Sequence, residues 1–260
     1  MKYFASIKLA FLLLFSGSML AQDLSDYQKK TFEKDGESMP YRILLPKDYN
    51  PAEKYPLILF LHGSGERGND NEAQLVHGSG LFLKDEVRNN YKAIVVFPQC
   101  KAQSSWAKLD TEGDHPNREF IFYKDAEATN DMILLEGLLK HLKKAYKLDK
   151  KRMYVGGLSM GGMGTFELVK RNPKVFAAAF PICGGANPEI SNKLKKPHWW
   201  VFHGSADQVV PEKYSSQMVE AMKAKGINIE YSVYEGVGHN SWDNAFAEPE
   251  LLAWLFSKSK

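Results

Sequence analysis

Cysteine is nearly absent, with two residues, Cys100 and Cys183, in a chain of 260. So sparse a supply excludes a small disulfide-framed scaffold. Neither cysteine has histidines at ligand spacing, so no metal site is expected. An excess of one charge is missing too. The chain carries 34 basic and 31 acidic residues, a formal +3. Losing Lys2 and Lys8 with a cleaved leader brings that to +1. Such a balance gives no reason to expect nucleic acid or an anionic membrane as partner. Bilayer-spanning runs are lacking, since the apolar stretch at residues 9–15 is too short. Internal repeats, low-complexity tracts and interdomain linkers are lacking as well. What is present is 44% hydrophobic and 12% aromatic residues, enough for one sizeable core.

The opening residues have the three zones of an export signal. Lys2 and Lys8 supply the positive start and residues 9–15 the apolar middle. Residues 16–21 form a mostly small-residue exit with a cut after Ala21. The expectation is a signal peptide over 1–21, a mature chain from 22 to 260, a periplasmic or secreted location, and no stable membrane insertion after cleavage.

Beyond the leader, strand and helix signals alternate, which predicts a parallel α/β layer fold. Extended segments near Thr31 and Tyr41, joined at Lys34-Asp35-Gly36-Glu37, predict a hairpin forming an antiparallel N-terminal edge. The clearest helix is expected over residues 126–146, with Ile133, Leu135, Leu138, Leu139, Leu142 and Tyr146 near helical spacing. Pro249 is placed to open a last helix carrying Leu251, Leu252, Trp254 and Leu255.

Ser159 is centred in Gly157-Leu158-Ser159-Met160-Gly161, after a strand-like run and before a helical one. Strand, tight turn and helix form the setting in which a serine becomes an exposed nucleophile. A base and an orienting acid are then required. Asp207 follows the apolar run at 198–202, and His239 lies in a glycine loop after the alternating run at 229–234. His203 precedes Asp207 and is expected to bond within its own turn. Asp243 and Glu235 flank His239 too closely to orient it and are expected to be solvated. Developing oxyanion charge needs backbone donors. Met160 N–H, opening the helix, is one. The other is expected from Ser64, with Gly63 or Gly65 as alternatives, in the glycine loop after the buried run at 55–61. His62 reads as a buttress of that loop.

Two long connections, 67–91 and 99–124, are expected to cover the site. Trp106 and Trp242 are candidate walls of a substrate pocket, whereas Trp199 and Trp200 read as core. Arg67 is expected in a salt bridge with a nearby acid.

The segments L-H-G-S-G-E-R-G (61–68), G-L-S-M-G-G (157–162), H-G-S-A-D-x-V-V-P (203–211) and G-x-G-H-x-x-W (236–242) resemble the α/β-hydrolase superfamily. Within it they look like the phospholipase/carboxylesterase group and related secreted esterases. The likeness runs from about Tyr41 to the C-terminus. It implies a single-domain α/β-hydrolase fold with a mostly parallel central sheet and helices on both faces. It also implies Ser159, Asp207 and His239 as the triad, in the superfamily's order. The activity implied is hydrolysis of carboxylic esters through an acyl-enzyme, without cofactor, on a small-molecule or polymer-attached ester. Feruloyl or acetyl-xylan esterase is an alternative, as is a prolyl-oligopeptidase-like peptidase, though 260 residues leave little room for a gating propeller. From a different class, a silent hydrolase-fold binding module would commonly lack a triad member. If strand order follows the superfamily, two strands separate the cysteines by about 14 Å. That exceeds disulfide reach, so two free thiols are expected.

Overall fold

The computed structural model describes residues 23–114 and 117–260. The expected signal peptide, 1–21, and His115 of the second long connection lie outside the described residues. Within them the strands are β1 (Gln28–Lys34), β2 (Glu37–Leu44), β3 (Tyr55–Leu61), β4 (Ile94–Pro98), β5 (Leu109–Glu112), β6 (Glu119–Phe122), β7 (Leu148–Leu158), β8 (Ala178–Ile182), β9 (His198–Gly204) and β10 (Ile229–Tyr234). The helices are α1 (Ser79–Leu83), α2 (Asp85–Asn90), α3 (Asn130–Ala145), α4 (Met160–Arg171), α5 (Lys213–Lys223), α6 (Trp242–Ala247) and α7 (Leu251–Ser257).

Eight strands form one sheet in the order β1-β2-β4-β3-β7-β8-β9-β10. From β4 to β10 every neighbouring pair is parallel, while β2 runs antiparallel to both β1 and β4. The fold is the α/β-hydrolase arrangement implied by the sequence, with its antiparallel edge at the N-terminal strands. At that edge the two-residue loop Asp35-Gly36 has φ of 54° and 80°. Positive φ at both positions matches the twist of a tight hairpin, which is why aspartate and glycine stand there.

Every residue of β3, β4 and β8 is buried, as a strand covered on both faces requires. The period-two alternation sorts the β3 side chains. Leu57, Leu59 and Leu61 enter one core with Leu135, Leu138 and Leu139 of α3. Ile58 and Phe60 enter the other core with Leu251, Trp254 and Leu255 of α7. Helices α3, α4 and α5 thus cover one face, and α1, α2, α6 and α7 the other.

Three details differ from the sequence reading. Helix α3 begins at Asn130, not 126, because the Thr129 hydroxyl accepts the Met132 N–H at 3.1 Å and caps the helix there. Ile133 points outward at 41% exposure, while Met132 and Leu134 take up buried positions. The connection 99–124 holds the hairpin β5–β6, whose Phe120 and Phe122 pack on Tyr214 of α5.

Helix α4 lies against the sheet with almost no gap. A Cβ on Gly161 would stand 1.9 Å from the Leu61 carbonyl oxygen. Gly161→Ala should therefore destabilise the fold by about 3 kcal/mol or more, since backbone cannot yield as a side chain does. The melting temperature should drop by roughly 10 °C; an unchanged melting curve would refute this packing.

Candidate active site

Ser159 occupies the turn between β7 and α4 with φ 53° and ψ −117°. Such a backbone costs a non-glycine residue about 1–3 kcal/mol and persists because its surroundings fix it. Ser159 N–H donates to the Ile182 carbonyl at 2.9 Å, and its own carbonyl accepts Met163 N–H at 3.0 Å. The side chain is thereby set at the carboxyl edge of the sheet, above the opening turn of α4.

Loops leaving β9 and β10 bring two further side chains to the same edge. His239 Nε2 lies 2.9 Å from Ser159 Oγ, and its Nδ1 lies 2.7 Å from Asp207 Oδ2. A carboxylate only accepts, so Nδ1 carries the proton and Nε2 presents its lone pair to the serine hydroxyl. Asp207 is buried and held from several sides. Its Oδ1 accepts the N–H groups of Val209 and Val210, both at 2.9 Å. Its Oδ2 also faces His203 Nε2 at 3.2 Å. Burial by itself would raise the Asp207 pKa. The hydrogen bonds from His203 and His239, the charge His239 carries when protonated, and the Val210 N–H outweigh it and hold the acid well below 3.8.

His203 donates to the Val210 carbonyl at 2.8 Å, within its own turn as its position suggested. Its contact with Asp207 was not foreseen. Asp243 is exposed and bonded to Asn240, and Glu235 is exposed, so neither approaches His239 as an orienter. Cys183 was not anticipated here at all. Its sulfur, an Asp207 oxygen and a His239 nitrogen all lie within 4.8 Å of one another. That is the cluster of ligand-type atoms closest to a metal-binding arrangement among the described residues. Burial first, then the Asp207 charge, pushes the thiol pKa up and keeps it protonated.

Across from Ser159 lies the loop leaving β3. His62 is buried, and burial lowers its pKa to about 4, leaving it neutral. Nδ1–H donates to the Gly63 carbonyl at 2.6 Å, and Nε2 accepts Cys100 N–H at 2.9 Å. Carbonyl and N–H point oppositely across a trans peptide, so this clamp turns the Ser64 N–H away from His62. Arg67 binds the carbonyls of Ser64 and Ser104, at 2.9 and 3.2 Å, instead of the expected acid.

The tryptophans separate. Trp106 is fully buried, stacks edge-on against His62 and donates to the His62 carbonyl at 3.0 Å. Having no accessible surface, it is core packing and not the pocket wall expected of it. Trp242 is half-buried, with ring centroids 5.3 Å from His239 and 4.9 Å from His77. Trp199 and Trp200 are buried in β9 as expected. A separate groove of about 910 Å³, lined by Lys54, Lys143, Lys144, Lys147, Lys150 and Lys151, lies by the starts of β3 and β7. It is at the opposite end of the sheet from Ser159, and its lining includes no serine, threonine or cysteine.

Residues 33–225 match the model of the family described as "Putative esterase". An endo-1,4-beta-xylanase/feruloyl esterase of Xylanibacter ruminicola is 27% identical over 236 residues, covering 87% of this chain and 29% of that protein. The acyl-protein thioesterase 1 homolog 1 of Dictyostelium discoideum is 22% identical, covering 78% of this chain and 89% of that one. A crystal structure of a thermostable esterase superposes with a TM-score of 0.81 at 34% identity, covering 91% of this chain and 64% of that one. The chain thus spans under a third of the xylanase/feruloyl esterase and just under two thirds of the thermostable esterase.

A carboxylate held below its ordinary value stabilises the fold above pH 3.8, and that stability is lost as pH falls through the lower folded value. Asp207→Asn should lack this acid-side loss. Denaturant midpoints from about pH 6 down to about pH 2 would show a flatter limb in the variant; identical limbs would contradict the ion pairing.

Proposed function

The chain belongs to the esterase family that its residues 33–225 match, and from that premise we propose that it hydrolyses carboxylic esters through a serine-bound acyl intermediate. One observation carries this reading: the unbroken chain of hydrogen bonds from Ser159 Oγ through His239 to Asp207. His239 Nε2 takes the hydroxyl proton as Ser159 attacks the ester carbonyl, and Asp207 supports the imidazolium that forms. The N–H groups of Met160 and Ser64 receive the oxyanion, the second turned to its task by the His62 clamp. His239 passes the proton to the departing alcohol, then activates the water that frees the acid. This chemistry calls for no cofactor.

The substrate is an ester of a small molecule or of a polymer. The feruloyl reading draws on the similarity to the Xylanibacter ruminicola protein. Export adds to it, because polymer-attached esters lie outside the cell. The leader-like residues 1–21 support a periplasmic or secreted enzyme. Among the described residues no helix is long and apolar enough to cross a membrane. N-terminal sequencing of the exported protein should begin at Gln22; an intact leader on exported material would overturn the cleavage.

Two substitutions test the mechanism together. Ser159→Ala should lower turnover of p-nitrophenyl acetate by about 10⁴-fold or more and abolish fluorophosphonate labelling while the melting temperature holds. His62→Asn should lower kcat by about 10²-fold with a smaller effect on KM, as loss of one oxyanion donor does. Full activity in Ser159→Ala would remove the mechanism, and wild-type protein inert to fluorophosphonate would favour a binding module. Methyl ferulate, acetylated xylan and peptide amides, run side by side, separate the substrate classes.

A further inference from the structure

We propose that Glu66, with His77 and Trp242, forms a subsite for a second hydroxyl on the substrate, so that the preferred esters are those of polyols. The inference rests on the ester-hydrolase reading above. Glu66 ends the short turn Ser64–Glu66 that follows Gly63. Its side chain is only 13% exposed. Oε2 is buried with no hydrogen-bond partner among the described residues. It lies 3.0 Å from the point where a Cβ on Gly63 would stand, and that point is 3.6 Å from Ser159 Cβ. A carboxylate therefore sits beside the nucleophile, on the loop assigned to the oxyanion.

Its protein neighbours leave it poorly satisfied. The other oxygen faces His77 Nε2 at 3.7 Å, beyond hydrogen-bond length. Arg67, the adjacent cation, is turned to two carbonyls. His77 packs at a tilt against Trp242, and Trp242 stands edge-on to His239. Carboxylate, imidazole and indole thus line one flank of Ser159.

A negative group here raises the energy of an oxyanion forming nearby, which slows hydrolysis of a plain ester. The arrangement becomes favourable when the substrate supplies a donor, because a carboxylate only accepts. A hydroxyl suits the site better than an ammonium. It donates to Glu66 Oε1, the oxygen that faces His77, and still offers a lone pair to His77, whereas an ammonium has donors alone. Trp242 gives an apolar face for the carbon skeleton that bears the hydroxyl. The ligand chemistry is that of a polyol: a sugar or glycerol ester with a free hydroxyl near the scissile bond.

The test compares glycerol monoacetate, propyl acetate and p-nitrophenyl acetate, which share one acyl group. Wild-type protein should favour glycerol monoacetate over propyl acetate by about tenfold or more in kcat/KM, the usual worth of a hydrogen bond to a charged group. Glu66→Ala should erase that preference and raise turnover of p-nitrophenyl acetate severalfold, a crossover that mere loop damage does not produce. Glu66→Gln, which keeps the size of the side chain, should lose most of the preference and serves if the alanine variant does not fold. A preference that survives both substitutions, or an equal fall on all three esters, overturns the subsite and leaves the esterase reading standing. No turnover of any ester by wild-type protein overturns both.

Discussion

The backbone of α4 rests directly on the ends of β3 and β7, and the site depends on that contact. A Cβ at Gly157 would stand 2.4 Å from the Gly161 carbonyl oxygen, as one at Gly161 would meet Leu61. With strand and helix so close, the chain between them has room for only a sharp reversal, and Ser159 takes the positive φ that the reversal demands. The same closeness points the positive end of α4 at the position where an ester carbonyl would sit. Position of Ser159 and the direction of the α4 dipole therefore share one cause, the lack of side chains between two pieces of backbone.

The partners of Ser159 are fixed by a different kind of force. Asp207 and His239 come from loops, and loops need polar tethers to hold an orientation. Asp207 has two backbone donors on one oxygen and two histidines at the other. His203 is itself anchored to Val210 and to Ser215 Oγ, so the restraint runs back to α5. On the opposite side, His62 spends both ring nitrogens on backbone groups, one on each of two loops. In both cases a buried imidazole sets the direction of a neighbouring group without meeting the substrate.

Much of this was legible in the residues because strand ends announce themselves. The apolar runs at 55–61 and 198–202 and the alternating run at 229–234 stop at glycine or polar loops, and residue order along the chain becomes position along one sheet edge. The elements that escaped prediction lack such a one-dimensional signal. Trp106 stands in a polar connection, so it read as a free aromatic, yet a three-dimensional gap beside Gly164 receives it. The β5–β6 strands are short and half polar, and what orders them is Tyr214, about a hundred residues away. Arg67 found carbonyls because the loop turned them outward, a fact of backbone conformation. Glu66 was passed over because an acid next to an arginine reads as surface. Only the fold reveals that the arginine is engaged elsewhere.

Cys100 and Cys183 lie just past the ends of β4 and β8, with β3 and β7 between those strands, both unpaired and both sealed from solvent. No crosslink has to form for the native state to close. The polypeptide can mature in a reducing cytosol without an oxidase or an isomerase, and dithiothreitol has no bond to break in the finished molecule. Thiol oxidants matter only while the chain is open, when Cys183 is not yet covered by Asp207 and His239.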